Sequence, residues 1–410
     1  MWDDFQARLD ALDQQSRLRK LTARSASRVS LSLADGTPLL NFGSNDYLGL
    51  AHQPVPCNHA VEQSAKRLAD SDACQAGSTA SALVCGWTEH HQTLADKIAA
   101  LEGTQSAVVF PTGFAACMGT IATLCGPKDL ILSDQLNHAS LIDGCRLSRA
   151  QCVVYPHRDV DFIDDHLTQH RQAYRRVWIV SDAVFSMDGH LAPLPQLVQI
   201  SKTHDADLIV DEAHGTGVLG DHLSGACEAL GVKDSVHIRI GTLSKALGGQ
   251  GGFVVCPQIV ADYLVNHCRT LIYSTALNLP AVHAAIAAFD SLPDCQQRRQ
   301  HVCGLAAQFR RFLAETRWSP AAQLATTLPE GGSGTESITA LETGVPIIPI
   351  MTGSDVATIA AAESMRSLGL YVPAIRPPTV PEGQGRLRVS LSALHSQADL
   401  QRLIDAVKPL

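Results

Sequence analysis

Val210-Asp211-Glu212-Ala213-His214-Gly215-Thr216-Gly217 puts a carboxylate and an imidazole at the end of one apolar run. Thr242-Leu243-Ser244-Lys245 puts a lone amine at the end of another. Asp-Glu-Ala-His is also the box of a nucleic-acid-stimulated ATPase, but that enzyme needs a phosphate loop in which lysine follows glycine. None of the eight lysines here follows a glycine. The remaining chemistry is that of pyridoxal phosphate. An amine forms a Schiff base, an acid pairs with the protonated pyridine nitrogen, and an imidazole contacts the phenolic oxygen. Each residue also has a plainer reading, Lys245 as a surface lysine and Asp211 with His214 as a self-capped loop.

Three further places offer matching parts. Phe110-Pro111-Thr112-Gly113-Phe114 follows a predicted strand and opens a predicted helix, where free N–H groups can receive a phosphate. Thr242 would add a hydroxyl, though a ligand-free turn explains the glycine equally well. His138, just past another strand, can stack on a flat ring or be a satisfied core histidine. Ser186 is either a turn residue or a donor to the cofactor oxygen.

The elements that must position these residues read as α/β. Strand-like runs recur at Ala107–Phe110, Asp129–Leu132, Cys152–Tyr155, Val177–Val180, Leu208–Val210, Val236–Ile240 and Gly252–Val255. Most intervals are long enough for a helix. In such a sheet, ligands bind beyond the carboxyl ends of the strands, where Asp211 lies. Apolar spacing predicts a helix over 3–21 and another over 88–101, which Gly103 ends. Val29–Phe42 reads as a hairpin turning at Asp35-Gly36. After Leu277-Asn278-Leu279-Pro280, an Ala-rich helical region runs to about Thr316, and Glu330–Gly334 opens a looser segment. Ile347–Met351 and Arg386–Leu391 are short strands suited to a smaller C-terminal α+β domain.

The chain has 410 residues, 45% apolar and 18% charged, with a net charge of -8. That describes a globular protein poorly suited to nucleic acid. No apolar run approaches a membrane span, and Met1-Trp2-Asp3-Asp4 has no export signal, so a cytoplasmic location is expected. The twelve cysteines include no C-x-x-C pair, which favours reduced, buried thiols over disulfides or a metal site.

Taken together, the chain resembles the α-oxoamine synthases, a family of fold-type I pyridoxal-phosphate transferases, over nearly its whole length. The motifs that carry this are Asn41–Leu50, Val184–Gly189 and the Asp211 and Lys245 segments. The resemblance implies a large mixed-sheet α/β domain over 46–285, a small C-terminal domain over 286–410, and an N-terminal helix and hairpin over 1–45. It makes Lys245 the Schiff-base lysine and base, Asp211 the pyridine-nitrogen partner and His138 the stacking residue. With His214 these form the catalytic set. Gly113, Phe114 and Thr242 would surround the phosphate, and Ser186 and His214 the phenolic oxygen. Arg376 would clamp the amino-acid carboxylate, with Thr379, Asn45 and His138 as further substrate contacts. The N-terminal substrate arginine would be Arg19, with Arg17 and Arg24 as alternatives. The family is homodimeric with shared active sites, so Ser274 and Thr275 would serve the partner's cofactor.

Ala374-Ile375-Arg376-Pro377-Pro378-Thr379-Val380-Pro381 resembles the branch that condenses L-alanine with a pimeloyl thioester, of CoA or of acyl-carrier protein, in biotin synthesis. Glycine-using 2-amino-3-ketobutyrate ligases differ there and are the alternative. A non-catalytic protein that keeps the cofactor fold is an alternative of another class. Four positions depart from the family pattern: Ala82 replaces arginine, Cys117 a polar residue, Asp182 a glutamate and His190 an acid. Glu336–Val345 is also unlike the short run expected before the small-domain strand.

Overall fold

The structure is a computed structural model that describes residues 2–33, 35–52, 76–316, 318 and 335–410. The looser segment expected at Glu330–Gly334 lies outside the described residues. So do Cys57 and Cys74; the other ten cysteines are free thiols.

The N-terminal helix spans Asp3–Gln14 and buries no side chain. It stops short of the expected residue 21 because Ser16 turns into left-handed backbone, φ 58°. Strands β1 (Ser25–Ser27), β2 (Ser30–Ser32) and β3 (Pro38–Asn41) follow as an antiparallel ladder. The expected turn joins β2 to β3: Gly36 has φ +84°, and the Thr37 amide donates to Asp35 Oδ1 at 2.9 Å.

The large sheet contains β4 (Ser106–Phe110), β5 (Leu130–Asp134), β6 (Gln151–Tyr155), β7 (Val177–Asp182), β8 (Asp207–Asp211), β9 (Ile238–Thr242) and β10 (Gly252–Cys256). Their order is β4-β10-β9-β8-β7-β5-β6, with β10 antiparallel to both neighbours and the remaining pairs parallel. Strands β5, β7, β9 and β10 are buried at every residue. That is why they read as continuous apolar runs, as strands covered on both faces do. Separate apolar clusters line the two faces, with Leu132, Ile179 and Val210 in one and Ile131, Val180 and Ile209 in the other.

Strand β9 runs two residues beyond the expected Ile240. Residues Lys233–Ser235 form a short 3-10 turn, which delays its start. At its far end Gly241 pairs with Phe253 of β10. A Cβ on Gly241 would meet the Phe253 ring at 2.1 Å, so the aromatic ring fills the place of the missing side chain. The extension carries Thr242 on the strand itself.

The Ala-rich region resolves into two helices, Leu279–Ser291 and Gln296–Ala314, separated by a turn over Leu292–Cys295. The unusual run at Glu336–Val345 proves to be mostly helix, Thr335–Gly344. C-terminally, β11 (Ile347–Gly353), β13 (Ala374–Ile375) and β14 (Gly385–Ser390) form an antiparallel sheet in the order β11-β14-β13. The two-residue strand β12 (Leu370–Tyr371) instead pairs in parallel with β3, Leu370 opposite Leu40. Leu40 and Phe42 accordingly pack in the C-terminal core with Phe309, Ile350, Leu387 and Leu403. No helix among the described residues is long and apolar enough to cross a membrane.

Candidate active site

The candidate residues converge at the carboxyl ends of the parallel strands. Parallel register sets Asp182, the last residue of β7, beside Asp211, the last of β8. Both are buried. Past β5, Asn137 extends the sheet with its amide: it donates to the Val180 carbonyl at 2.8 Å and accepts from the Asp182 amide at 2.9 Å. The Asp182 carboxylate accepts the His138 backbone amide at 2.7 Å. Burial first, and then the neighbouring Asp211, push the Asp182 carboxyl well above its ordinary range. Asp211 Oδ1 accepts from the Ala213 amide at 2.8 Å, and Oδ2 from the Cys117 thiol at 3.2 Å. Burial keeps that thiol protonated and therefore a donor. Cys117 thus supplies a hydrogen bond at the position where the resemblance led us to expect a polar side chain.

Glu212 faces elsewhere. Its oxygens accept the Ala226 and Cys227 amides at 2.9 and 2.6 Å, which caps the helical turn Ala226–Ala229.

Lys245 follows the end of β9. Burial pulls its amine below the ordinary lysine range, opposed by the charges of Asp211 and Asp182. A lysine held this way loses its proton more readily, as a nucleophile or base requires. His138 caps the helix Ala139–Ser148: its Nδ1 accepts the Ser140 amide at 3.3 Å and lies 2.7 Å from the Ser140 hydroxyl. Phe114 meets the His138 ring edge-on, with centroids 6.3 Å apart. His214 is buried, with Nδ1 2.7 Å from the Tyr47 hydroxyl. Burial, then Lys245 and Arg388, favour the neutral form of His214; burial also lowers His138, opposed by Asp211.

An anion cradle adjoins these groups. Thr112 caps the helix Gly113–Leu124 by accepting the Ala115 amide at 3.0 Å. The amides of Gly113 and Phe114, the first two of the helix, are left for a ligand. A Cβ on Gly113 would lie 3.1 Å from Thr242 Oγ1, and one on Gly252 would lie 2.5 Å from Gly113 Cα. Two glycines therefore let the helix start close onto the end of β9. The cradle, the buried acid at the end of β8 and the amine beyond β9 fit the phosphate, pyridine nitrogen and aldehyde carbon of pyridoxal phosphate.

The substrate candidates lie on the C-terminal side. Arg376 follows β13, donates through Nη1 to the Ser16 carbonyl, and keeps a buried Nε with no hydrogen-bond partner among the described residues. Arg19 donates to the Arg376 and Pro377 carbonyls at 3.3 and 2.9 Å. The alternatives are committed elsewhere: Arg17 pairs with Asp355 and Glu382, and Arg24 lies over the Tyr371 ring. Thr379 and Ser186 line one cavity of about 710 Å³, with Met187, His190, Met351 and Arg386 on its walls. Asn45 accepts from Arg388 and Tyr47 rather than standing open. Thr275 is exposed and pairs with Ser81 in an isolated bridge, apart from the acids and Lys245 in the contacts described.

Sequence reasoning missed Tyr47, although it stands inside the Asn41–Leu50 motif. It also assigned no role to Arg386 and Arg388, which lie on the expected strand Arg386–Leu391. Both are buried: Arg386 pairs with Asp188, and Arg388 donates to the Ser186 carbonyl at 2.6 Å. The alternation of β14, which puts both on one face, was the available signal.

Known proteins are similar to this chain over nearly its whole length. The profile of class I and II aminotransferases matches residues 37–407. An 8-amino-7-oxononanoate synthase of Marinobacter nauticus is 39% identical, over 98% of this chain and 95% of that protein. One of Burkholderia thailandensis is 41% identical, over 95% and 93%. Among solved structures, the serine palmitoyltransferase of Sphingomonas wittichii superposes with a TM-score of 0.84 at 28% identity, covering 100% of this chain and 96% of that one. The 8-amino-7-oxononanoate synthase of Francisella tularensis gives 0.67 at 25% identity, covering 90% and 96%. The chain belongs to the class I and II aminotransferase family and, within it, to the α-oxoamine synthases.

Proposed function

We propose that this chain condenses L-alanine with a pimeloyl thioester to give 8-amino-7-oxononanoate, carbon dioxide and the free carrier thiol. The observation that carries the reading is the half-buried Lys245 past β9, with Asp211 and Asp182 as its acidic neighbours, at the same strand ends as the Gly113–Thr242 cradle. Pyridoxal phosphate, when bound, supplies the electron sink that makes the amino acid's α-carbon acidic. Asp211 keeps the pyridine nitrogen protonated. Burial and the neighbouring Asp211 raise the Asp182 carboxyl, which disfavours a second negative charge beside that nitrogen. The lowered Lys245 amine takes the α-proton and later returns one. Arg376, whose buried Nε lacks a partner among the described residues, turns its fork to the substrate carboxylate. His138 faces the reacting carbon as a neutral donor. The acyl chain extends into the cavity behind Ser186 and Thr379, and Arg19 braces the Arg376-Pro377 backbone that leads to Thr379. Two copies of the chain complete the sites, with Thr275 of each serving the other.

The choice of alanine and a pimeloyl chain rests on the oxononanoate synthases among the relatives. A second reading, serine with a long acyl chain, is favoured by the closer superposition on serine palmitoyltransferase. Glycine, L-alanine and L-serine, each incubated with short, pimeloyl and long acyl-CoA, separate the two when the aminoketone is detected by mass. Alanine with pimeloyl-CoA is the expected productive pair. Preference for serine with a long chain, or for glycine with a short one, would overturn the substrate assignment and leave the cofactor site standing.

A further inference from the structure

From Trp2 to Arg28 no residue is buried, and only Ser16, Arg17 and Leu18 are half-buried. Apolar packing therefore does not hold this stretch on the molecule. Polar bonds do, and they gather around Arg376. Arg17 donates through Nε to Asp355 Oδ2 at 2.6 Å and through Nη2 to Glu382 Oε1 at 2.8 Å. One residue back, the Ser16 carbonyl accepts from Arg376 Nη1. Two residues on, Arg19 donates to the Arg376 and Pro377 carbonyls. The Ser16–Arg19 segment thus lies as a strap on the 376–382 loop, with Arg17 as its anchor. The Glu382 side chain is 84% exposed, so that pair contributes little, whereas the Asp355 side chain is only 10% exposed. Asp355 is the anchoring partner.

A second cation feels the same carboxylate. Burial and then Arg19 lower the Arg376 guanidinium, while the charge of Asp355 raises it. Arg376 is therefore repelled by Arg19 and attracted by Asp355. Two contacts resist that attraction. Arg17 neutralises Asp355, and the Ser16 carbonyl beside it holds Arg376 Nη1. Removing the Arg17 side chain undoes both at once. A largely covered carboxylate left without its partner is costly, and Arg376 is the cation already drawn to it. A guanidinium that turns to Asp355 no longer presents its fork to a substrate.

We propose that Arg17 is a positioning residue for the amino-acid carboxylate: by occupying Asp355 and pinning Ser16, it keeps an internal carboxylate from capturing Arg376. Arg17 acts through Arg376 and needs no contact with substrate. The inference rests on Arg376 as the carboxylate clamp of the functional reading above.

The test compares Arg17→Ala with the double variant Arg17→Ala/Asp355→Asn. L-Alanine binding to the cofactor-loaded protein is read from the change in cofactor absorbance, with no acyl donor present. Initial rates with pimeloyl-CoA then give KM and kcat. Arg17→Ala is expected to raise the alanine Kd and KM by about 10-fold and to change kcat by less than about 2-fold. The double variant is expected to bind alanine within about 3-fold of the parent, because a neutral amide competes poorly for a guanidinium. A strap that only steadied the fold would leave the double variant no better than the single one. The crystal structure of Arg17→Ala is expected to show Arg376 paired with Asp355. An unchanged alanine Kd in Arg17→Ala, a loss confined to kcat, or a double variant as weak as the single one would each sink the proposal. Tighter alanine binding in Arg17→Ala would do the same, since the strap would then compete with substrate for Arg376. The expected binding pattern with no turnover of any acyl-CoA would support it and overturn the functional reading instead.

Discussion

Arg376 is tied down on one side and open on the other. Its Nη1 holds the Ser16 carbonyl while its Nε is buried without a partner among the described residues. An unpaired buried donor costs free energy in the free protein, and a carboxylate relieves that cost. Arg376→Ala is expected to raise the amino-acid KM by about 10- to 100-fold, the equivalent of roughly 1.5–3 kcal/mol for a charge-assisted hydrogen bond. Initial rates against alanine concentration measure this. Arg376→Lys should restore little, because a point charge does not reproduce the planar fork. A change confined to kcat would show that Arg376 does not hold the substrate. At this scale the sequence was informative where chemistry and position coincide, as at Asp211, Lys245 and Gly113, each at the end of a legible strand. Tyr47 was not legible, because its role depends on His214 and Arg388, which reach it only through the folded chain.

Among the elements, the start of the helix Gly113–Leu124 depends on a glycine in a strand far away in sequence. Gly252 opens β10, and a methyl group there would press on Gly113 Cα at 2.5 Å and on its amide nitrogen at 2.6 Å. Gly252→Ala is expected to destabilise the protein by about 1–3 kcal/mol, the usual range for overpacking. It should also weaken cofactor binding, since the displaced amide belongs to the cradle. Thermal melts and cofactor titration read the two effects separately. Gly304, inside the helix Gln296–Ala314, is the control: a methyl there meets nothing within 4 Å. Gly304→Ala should stabilise by up to about 1 kcal/mol. Strand existence was legible here because the sheet is covered on both faces. The end of β9 was not, since the ring that stands in for Gly241's side chain comes from the neighbouring strand.

Across the whole molecule, buried histidines and buried carboxyls give stability opposite dependences on pH. Burial, aided by His157 and nearby arginines, lowers His190 from an ordinary 6.5 to about 3. Its contribution is complete above pH 6.5 and is lost as pH falls toward 3, where the unfolded chain binds the extra proton. Burial raises Glu212 from 4.5 to about 7. Its contribution is complete below pH 4.5 and is lost as pH rises through 7. The two oppose each other between pH 4.5 and 6.5. Relative to the parent chain, His190→Gln should make the thermal midpoint fall less on acidification across that window. Glu212→Gln should make it fall more. Melts at half-unit pH steps measure both slopes, and parallel curves for parent and variants would refute the assignment.

The pairing of β3 with β12 sets an order of events during synthesis. β3 leaves the ribosome early, its partner Leu370–Tyr371 much later. Throughout that interval the hydrogen-bonding edge of β3 faces outward, and Leu40 and Phe42 lack the helices and strands that bury them in the finished protein. A nascent chain with a bare strand edge and unburied apolar side chains is a target for chaperones and for pairing with a second nascent copy. The same stitch means that trimming the chain back to residue 45 removes a strand and two core side chains from the C-terminal half, the half that carries Arg376 and Arg388.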